Sequence, residues 1–352
     1  MINPLRKSTL SRVTAGAALG LAAALVFTGC SGKTATSATA TDPDASTIAL
    51  LYGTRGDFSI MDGAYNGFSA AQKEFGFNAL DFSSPNTDDY QDRLDLALSE
   101  DADLAIGIGY QWGTPMEQTT DRGTTSLANI DVDLGTEIDG VTTISFAANQ
   151  SSYLVGVAAA LTSTTGHIGF VGGVDQPLIQ NFFVGYEAGA KSVNADIVVD
   201  STYLSPLGDF SGFSDPTKGK EAAASMYAGG ADVIYAAAGG SGQGVYEQAK
   251  DSSTDAKKVW AIGVDGDVYN QVDADIKPFI LTSAVKNVDI AVTDVITAFE
   301  AGTLEAGEQV YDLSTGGVSY STSGGFVDGI ADKLEASKQS IINGTITVPT
   351  AL

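Results

Sequence analysis

Apolar and polar positions along the chain predict an alternation of short strands and amphipathic helices. From Thr47 onward, residues 48–52 and 104–108 are continuous apolar runs, whereas residues 62–75 carry apolar side chains at three- and four-residue spacing. Further strands are predicted at 79–82, 144–146, 168–171, 197–203, 233–238, 259–264 and 281–285, and further helices at about 88–99, 151–161, 179–193, 218–228 and 244–250. The alternation predicts an α/β fold whose parallel sheets consist of βαβ units covered on both faces.

Two segments of the chain repeat each other. Residues 102–109 and 231–239 both begin with Ala-Asp, continue as a buried strand after a helical pattern, and end at glycine. The repeat predicts two similar lobes, each a doubly wound parallel sheet, rather than one very wide sheet. Because ligands of doubly wound sheets bind beyond the carboxyl ends of the strands, the cleft between the lobes is the predicted site.

Candidate ligand contacts follow the predicted strands. They are Asp57, Phe58, Tyr110, Asp175, Phe182, Gly239, Gly240, Asp265 and Lys286. Carboxylates accept hydrogen bonds from hydroxyl groups and aromatic rings stack on flat groups, so the set predicts a neutral, polyhydroxylated ligand with a flat part. Alternatives remain open: Tyr110, Trp112 and Phe182 could belong to a lobe core, and Asp265 could cap its own turn.

The first residues have the pattern of an export signal. Arg6, Lys7 and Arg12 precede an apolar run at 15–27, which is shorter than a membrane span requires. The run ends close to Cys30 and resembles the lipobox of bacterial lipoproteins, although Phe27 stands where leucine is usual. We predict a signal peptide at 1–29, lipidation of Cys30, a flexible tether at 30–46 and a lipid-anchored position on the extracytoplasmic face of the cell membrane. The alternative is an ordinary cleaved signal peptide.

Composition excludes several function classes. The chain has 43 acidic and 18 basic side chains, a net charge of -25, which disfavours nucleic acid as a partner. One histidine and one cysteine cannot build a histidine cluster on zinc or a disulfide framework, so no metal site is predicted. No cofactor is predicted either, because Val245 replaces the last glycine of a dinucleotide fingerprint at 240–245. His167 is predicted to lie in a surface turn, which favours binding over catalysis.

Several motifs together resemble one known family. They are Gly-His-Ile-Gly-Phe-Val-Gly-Gly at 166–173, Gly-Tyr-Glu-Ala-Gly at 185–189, Phe-Ser-Asp-Pro-Thr-Lys-Gly-Lys at 213–220, Ala-Gly-Gly-Ser-Gly at 238–242 and Ile-Gly-Val-Asp at 262–265. This chain resembles the basic membrane protein family of purine-nucleoside receptor lipoproteins, the substrate-binding components of ABC importers. The resemblance is strong over about 153–287 and looser over 47–131 and 341–349.

The resemblance implies both a domain division and a site. The implied fold is that of type I periplasmic binding proteins, two lobes joined by three crossovers. Lobe 1 would be 47–148 plus about 283–312, and lobe 2 would be 149–282 plus about 313–350. Phe182 would stack on the base, Asp265 would bind the ribose hydroxyls, Lys286 would reach the sugar, and Gly239 and Gly240 would let the backbone approach.

The first-lobe motif departs from the family pattern. Ile60 and Met61 stand where the family has an aromatic residue and asparagine. Either Phe58 supplies the second stacking face or recognition of the base differs.

The function predicted from the sequence is that of a monomeric, non-enzymatic receptor. It would close over a nucleoside and deliver it to ABC permease and ATPase subunits. Three alternatives remain open: a receptor for a free sugar or another small polar solute, a secreted nucleoside-cleaving enzyme, and a surface adhesin.

Overall fold

Two six-stranded sheets form the framework of a computed structural model that describes residues 43–56, 59–84 and 89–351. The first sheet contains β1 (Thr47–Tyr52), β2 (Asn78–Ser83), β3 (Leu104–Ile108), β4 (Ser126–Val132), β5 (Val141–Phe146) and β11 (Gly307–Tyr311). The second contains β6 (His167–Val174), β7 (Val198–Ser205), β8 (Val233–Ala237), β9 (Trp260–Asp265), β10 (Ile280–Lys286) and β12 (Val318–Tyr320). Every residue of β3 and β8 is buried, as expected for parallel strands covered on both faces.

Ten helices connect and cover these strands in the described part of the chain. They are α1 (Ile60–Phe75), α2 (Tyr90–Ser99), α3 (Gly113–Gln118), α4 (Ala148–Thr162), α5 (Pro177–Val193), α6 (Pro216–Gly229), α7 (Gly242–Ser252), α8 (Val268–Gln271), α9 (Val288–Glu300) and α10 (Ala331–Ile342). The predicted alternation of strands and helices, and with it the α/β fold class, is confirmed.

The two sheets have the same topology. Their strand orders are β11-β5-β4-β3-β1-β2 and β12-β10-β9-β8-β6-β7. Strands β3 and β8 occupy the same place in the two orders, so the repeated segments 102–109 and 231–239 form equivalent strands. The described pairings are parallel except that of β12, which runs antiparallel to β10.

The chain passes between the two sheets at three points. It leaves the first sheet between β5 and α4, returns between β10 and α9, and leaves again between β11 and β12. Helix α9 packs against α1 of the first sheet, while α10 packs against α4. The predicted lobe boundaries stay a proposal. Strand β10 pairs with β9 as far as Val285 and with β12 as far as Lys286, so the second passage lies at Asn287 rather than near residue 283 as predicted.

Strand β4 is the element most important to the site that the apolar pattern did not predict. Its apolar run is interrupted by Asn129 and Asp131, yet both side chains are buried. Asn129 Nδ2 donates to the carbonyl oxygens of Gly107 and Gly109 at 3.2 and 2.9 Å. Hydrogen bonds to neighbouring strands therefore allow polar residues inside a buried strand, at positions where the hydrophobic pattern predicts that no strand forms.

The start of the described chain is joined to β2. Asn78 donates from Nδ2 to Ala45 O at 3.3 Å and from its backbone N to Ser46 O at 2.8 Å. Residues 45 and 46 of the predicted tether thus contact the folded body, whereas the predicted signal peptide and Cys30 lie outside the described residues. Within the described ranges, no helix combines the length and apolar character needed to cross a bilayer.

Close contact between α4 and α5 depends on glycine. A Cβ atom on Gly189 would lie 2.0 Å from Tyr153 O, within the backbone of α4. We therefore expect Gly189→Ala to lower the free energy of unfolding by about 1–3 kcal/mol, because the helices must separate. Urea unfolding measures the change.

The matched control is Gly229→Ala in α6. Its Cβ would meet nothing within 4 Å, so we expect no loss of stability and a slight gain from helix propensity. Equal unfolding midpoints for Gly189→Ala and the unmodified protein would contradict the packing described.

Candidate functional site

A cavity of about 440 Å³ lies where the carboxyl ends of the two sheets face each other. Its wall is formed by Thr54, Arg55, Gly56, Ser59, Ile60, Met61, Gly109, Tyr110, Gln111, Asp131, Leu178, Ile179, Phe182, Phe210, Phe213, Ser214, Pro216, Ala237, Gly239, Gly240, Gln243, Val264, Asp265 and Lys286. This volume is in the range of sites for small molecules. Residues of both sheets contribute to it, as the doubly wound topology requires.

Six of the predicted contact residues lie together on this wall. They are Tyr110, Phe182, Gly239, Gly240, Asp265 and Lys286. Asp57 and Phe58 lie outside the described residues. The structure does not bring Asp175 to the wall: it is exposed, its carboxylate accepts from Gln180 Nε2 at 2.8 Å, and its backbone N donates to Ser205 O at 3.0 Å. These bonds hold Asp175 at the outer rim.

Two aspartates end equivalent strands of the two sheets. Asp131 is in β4 and Asp265 ends β9, and both adopt positive φ, 73° and 60°. Residues other than glycine rarely adopt a positive φ, and those that do cluster at functional sites. At Asp131 the pairing of β4 with β5 also shifts register, a bulge that redirects the side chain.

Lys286 joins these aspartates into a buried ion triad. Its Nζ lies 2.7 Å from Asp131 Oδ1 and 3.6 Å from Asp265 Oδ1, and the side chains of Lys286, Asp131 and Asp265 are only 4%, 5% and 11% exposed. Two carboxylates and one ammonium leave one excess negative charge. Within the described residues Asp265 Oδ1 is buried and has no hydrogen-bond partner, so its capacity to accept a hydrogen bond is unused.

Burial and neighbouring charges shift the pKa values of Asp265 and Lys286. Burial raises the pKa of Asp265, the ammonium of Lys286 opposes this shift, and the carboxylate of Asp131 adds to it. Burial alone would lower the pKa of Lys286, but the charges of Asp131 and Asp265 raise it above its ordinary value. At neutral pH Lys286 is therefore charged, and ionised Asp265 is the member that burial penalises.

The raised pKa of Asp265 predicts a pH-dependent gain from Asp265→Asn. A raised carboxyl pKa gives stability that is present below the ordinary pKa and lost as the pH rises through the folded-state value. Asparagine has no such loss, so the free energy of unfolding of the variant should exceed that of the unmodified protein at pH 7. The difference should shrink as the pH falls toward the ordinary aspartate pKa.

Urea unfolding between pH 4 and pH 8 measures this difference. Asp255→Asn is the control, since Asp255 is exposed and its removal should change stability little at any pH. A pH-independent effect of Asp265→Asn would contradict the electrostatic origin.

Aromatic rings form another part of the wall. Lys286 Nζ lies 4.9 Å from the ring centroid of Phe182, and Tyr110 and Phe210 lie with their ring centroids 5.9 Å apart. Tyr110 and Phe182 both line the cavity, and Phe182 is at the same time packed in the hydrophobic core. Trp112 does belong to the core: it is fully buried and stacks on Tyr90 at 4.4 Å.

Gly239 and Gly240 expose backbone to the cavity. Gly239 has φ 51°, and Cβ atoms at the two positions would lie 3.4 and 3.2 Å from Phe213 O. Side chains there would crowd the 210–213 segment and occupy part of the cavity. The arrangement therefore allows a ligand to approach the end of β8 closely.

Among the described residues, the contacts that cross the cleft include the hydrogen bond from Ser59 Oγ to Asp265 Oδ2, the ion pair of Lys286 with Asp131, and the ring contact of Tyr110 with Phe210. Each joins a residue near the first sheet to one near the second.

The sequence reasoning missed Asp131, Phe210 and Phe213 as lining residues. Asp131 was missed together with β4, although an aspartate after an apolar run repeats the pattern of Asp265. Phe210 and Phe213 lie in a short 3₁₀ segment, Phe210–Phe213, between β7 and α6. A pattern based on regular elements contains no signal for such a segment.

The titratable side chains outside the cavity give no indication of a metal site or of a second functional site among the described residues. Among the described residues no group of histidine, cysteine, aspartate and glutamate could hold a metal ion. His167 begins β6, at the edge opposite the cavity, and its Nε2 lies 2.7 Å from Asp200 Oδ2. It is thus in a strand rather than the predicted turn and is remote from the site.

Comparison with known proteins places the chain among transport receptors. A family model described as ABC transporter substrate-binding protein PnrA-like matches residues 45–351. The chain is 35% identical over 355 residues to the ABC transporter nucleoside-binding protein BmpA of Lactococcus lactis subsp. cremoris, covering 96% of this chain and 99% of that protein. It is 36% identical over 319 residues to the CD4+ T-cell-stimulating antigen of Listeria monocytogenes serovar 1/2a, covering 86% and 88%.

A solved structure shows the same fold. The ABC transporter system solute-binding protein from Aeropyrum pernix K1 superimposes with a TM-score of 0.74 at 26% identity, covering 86% of this chain and 94% of that one. The predicted two-lobed fold of type I periplasmic binding proteins is confirmed.

Proposed function

Because the chain belongs to the family of PnrA-like ABC transporter substrate-binding proteins, we propose that its cavity binds a nucleoside for delivery to the transporter. The observation that carries the proposal is the cavity wall, which combines the Asp131–Lys286–Asp265 triad with aromatic rings. A nucleoside has the matching parts, a hydroxylated sugar and a flat base. The similarity to a nucleoside-binding relative supports the same ligand class.

The triad suits the sugar. Asp265 Oδ1 lacks a hydrogen-bond partner in the described part of the chain, so ribose hydroxyls can donate to it. Hydrogen bonds to a charged, buried acceptor are stronger than those between neutral groups. Lys286 stays paired with Asp131 and directs its remaining hydrogens toward Asp265 and the sugar.

The aromatic part of the wall suits the base. Phe182 offers one stacking face near the triad, and Ile60 and Met61 line the wall from the first lobe. An aliphatic wall gives dispersion contact without the preferred geometry of a second ring. We therefore expect a broader choice of bases than two aromatic faces would allow.

Charge in the cavity disfavours phosphorylated ligands. The triad carries one excess negative charge, and its members are almost completely buried, so screening by solvent is weak. A nucleoside is neutral, whereas a nucleotide brings at least one further negative charge. We expect a nucleoside 5′-monophosphate to bind much more weakly than the nucleoside.

Family membership assigns the protein to the extracytoplasmic side of an ABC transporter, with permease and ATPase subunits as partners. Lipidation of Cys30 and a tether to the membrane are further parts of the proposal, supported by the sequence pattern at 15–30. We also propose that the protein is a monomer. Mass spectrometry of the membrane-extracted protein tests the lipid on Cys30.

A free sugar is the second candidate ligand. The observation that favours it is the aliphatic contribution of Ile60 and Met61, which weakens the case for a clamped base. Ribose alone would still satisfy the triad.

Thermal unfolding with a panel of ligands tests the proposal. A ligand at a hundredfold its dissociation constant stabilises the folded state by about 2.7 kcal/mol, which raises the melting temperature by a few degrees. We expect shifts with nucleosides, small shifts with ribose, and none with nucleoside monophosphates. Shifts with ribose as large as with nucleosides would favour the sugar receptor instead.

Absence of catalysis is also part of the proposal. Incubating the protein with inosine and separating the products by chromatography tests it. We expect no hypoxanthine; its steady formation would identify a nucleoside-cleaving enzyme.

A further inference from the structure

Leu207 is the most exposed large apolar side chain in the described part of the chain. It is 72% exposed, more than Val198 at 50% or Val310 at 45%. Leu207 follows the carboxyl end of β7, the edge strand of the second sheet, and therefore lies at the outer rim of the cleft. Burial of an exposed leucine side chain by a partner is favourable.

Hydrogen bonds fix the turn that carries Leu207. Asp209 N donates to Pro206 O at 3.1 Å, Gly208 supplies the positive φ of 86° that the turn requires, and Ser205 Oγ donates to Asp209 O. Ser211 N also donates to Asp209 Oδ1 at 3.0 Å. The leucine is thus presented on a braced support, which limits the entropy that a partner must remove.

The same segment reaches into the cavity. Phe210 directly follows the turn, lines the cavity and meets Tyr110 of the other lobe, with ring centroids 5.9 Å apart. Closure of the lobes therefore fixes the place of the turn relative to the first lobe. A partner that contacts both rims distinguishes the closed protein from the open one.

Two aspartates belong to or adjoin the turn that carries Leu207. Asp209 is in the turn itself, and Asp175 is joined to its base through Ser205 O. Both are exposed, and neither forms an ion pair within the described ranges. Hydrogen bonds from Ser211 lower the pKa of Asp209, so it is ionised at neutral pH. The rim therefore combines one apolar side chain with unpaired negative charge.

We propose that the turn at 205–209, with Leu207 at its tip, is a docking contact for the membrane-embedded subunit of the transporter. That subunit would offer an apolar socket for Leu207 and basic side chains for Asp175 and Asp209. The inference rests on the proposed function, because the ligand that closes the cleft also sets the position of the turn. The rim is the face from which the ligand leaves the cavity, so the receiving subunit must meet it.

Nucleoside uptake by cells tests the contact. Cells that carry Leu207→Asp as their only copy of the protein are compared with cells that carry the unmodified chain or Val198→Asp. Val198 is also exposed and begins the same strand β7, at the end away from the cleft. We expect the initial uptake rate to fall at least about tenfold for Leu207→Asp, as for the loss of a central interface anchor, and to stay unchanged for Val198→Asp.

A second measurement separates docking from ligand binding. Calorimetric affinity of the purified Leu207→Asp protein for the transported nucleoside should equal that of the unmodified protein. Uptake at the unmodified rate would overturn the docking proposal, and so would an affinity that falls by the same factor as uptake. Failure of the unmodified protein to bind any nucleoside in calorimetry would instead overturn the proposed function.

Discussion

Asp265→Ala is expected to lower nucleoside affinity by at least about 100-fold, which corresponds to about 2.7 kcal/mol. Asp265 ends β9 in the cavity wall, and its Oδ1 has no hydrogen-bond partner among the described residues. Alanine removes a largely buried carboxylate acceptor, and the hydroxyls of the bound sugar then lose this partner. Isothermal titration calorimetry measures the loss.

Asp267→Ala is the matched control for this variant. Asp267 lies two residues further along the same loop and accepts from Ser321 and Ser323 at 2.7 and 2.6 Å, outside the cavity wall. Its replacement should leave the affinity within about threefold, although it can reduce stability. Retained affinity in Asp265→Ala would refute the assignment of Asp265 to the ligand.

Lys286→Met is expected to produce the largest loss of stability. The ammonium of Lys286 compensates two buried carboxylates, and removing one partner of a buried ion pair costs about 3–5 kcal/mol. Methionine fills similar space but leaves Asp131 and Asp265 without a cation. The variant should regain stability as the pH falls, because protonation of Asp265, whose pKa burial raises, removes part of the uncompensated charge.

Urea unfolding at pH 7 and pH 5 measures both effects. Lys333→Met is the control, since Lys333 is exposed on α10 and forms no ion pair within the described residues. Equal unfolding midpoints for Lys286→Met and the unmodified protein at pH 7 would show that the triad contributes nothing to stability.

Removing the charge of Asp265 is expected to change stability and ligand affinity in opposite directions. Asp265→Asn should stabilise the protein without ligand, while the loss of its charge weakens ligand binding. The site thus retains a buried charge that costs folding free energy and is compensated when a ligand donates to it. The positive φ of Asp265 is a second cost at the same residue.

Regular elements of the fold were predictable because their apolar patterns are local. The runs of β3 and β8 are continuous, and the repeat between 102–109 and 231–239 predicted two similar lobes, whose sheets have corresponding strand orders. The family resemblance deduced from the glycine-rich motifs is confirmed by the match over residues 45–351. Strand β4 was not predictable in this way, since its buried polar residues depend on partners distant in sequence.

The site was predictable only where residues directly follow strands. Asp265 and Lys286 end β9 and β10, so the topology alone brings them to the cleft. Asp175 also follows a strand, but a hydrogen bond from Gln180 in α5 keeps its carboxylate at the rim. Phe210 reaches the cavity from a 3₁₀ segment whose course depends on packing against β6 and β7 of the second sheet.

Calorimetric titration of the purified protein with adenosine, guanosine, inosine, uridine and cytidine tests the central claim most directly. The protein is used at micromolar concentration after removal of any bound ligand by unfolding and refolding. We expect saturable heat with at least one nucleoside at one site per chain, and none with the corresponding monophosphate. No heat with any of the five nucleosides would contradict the account.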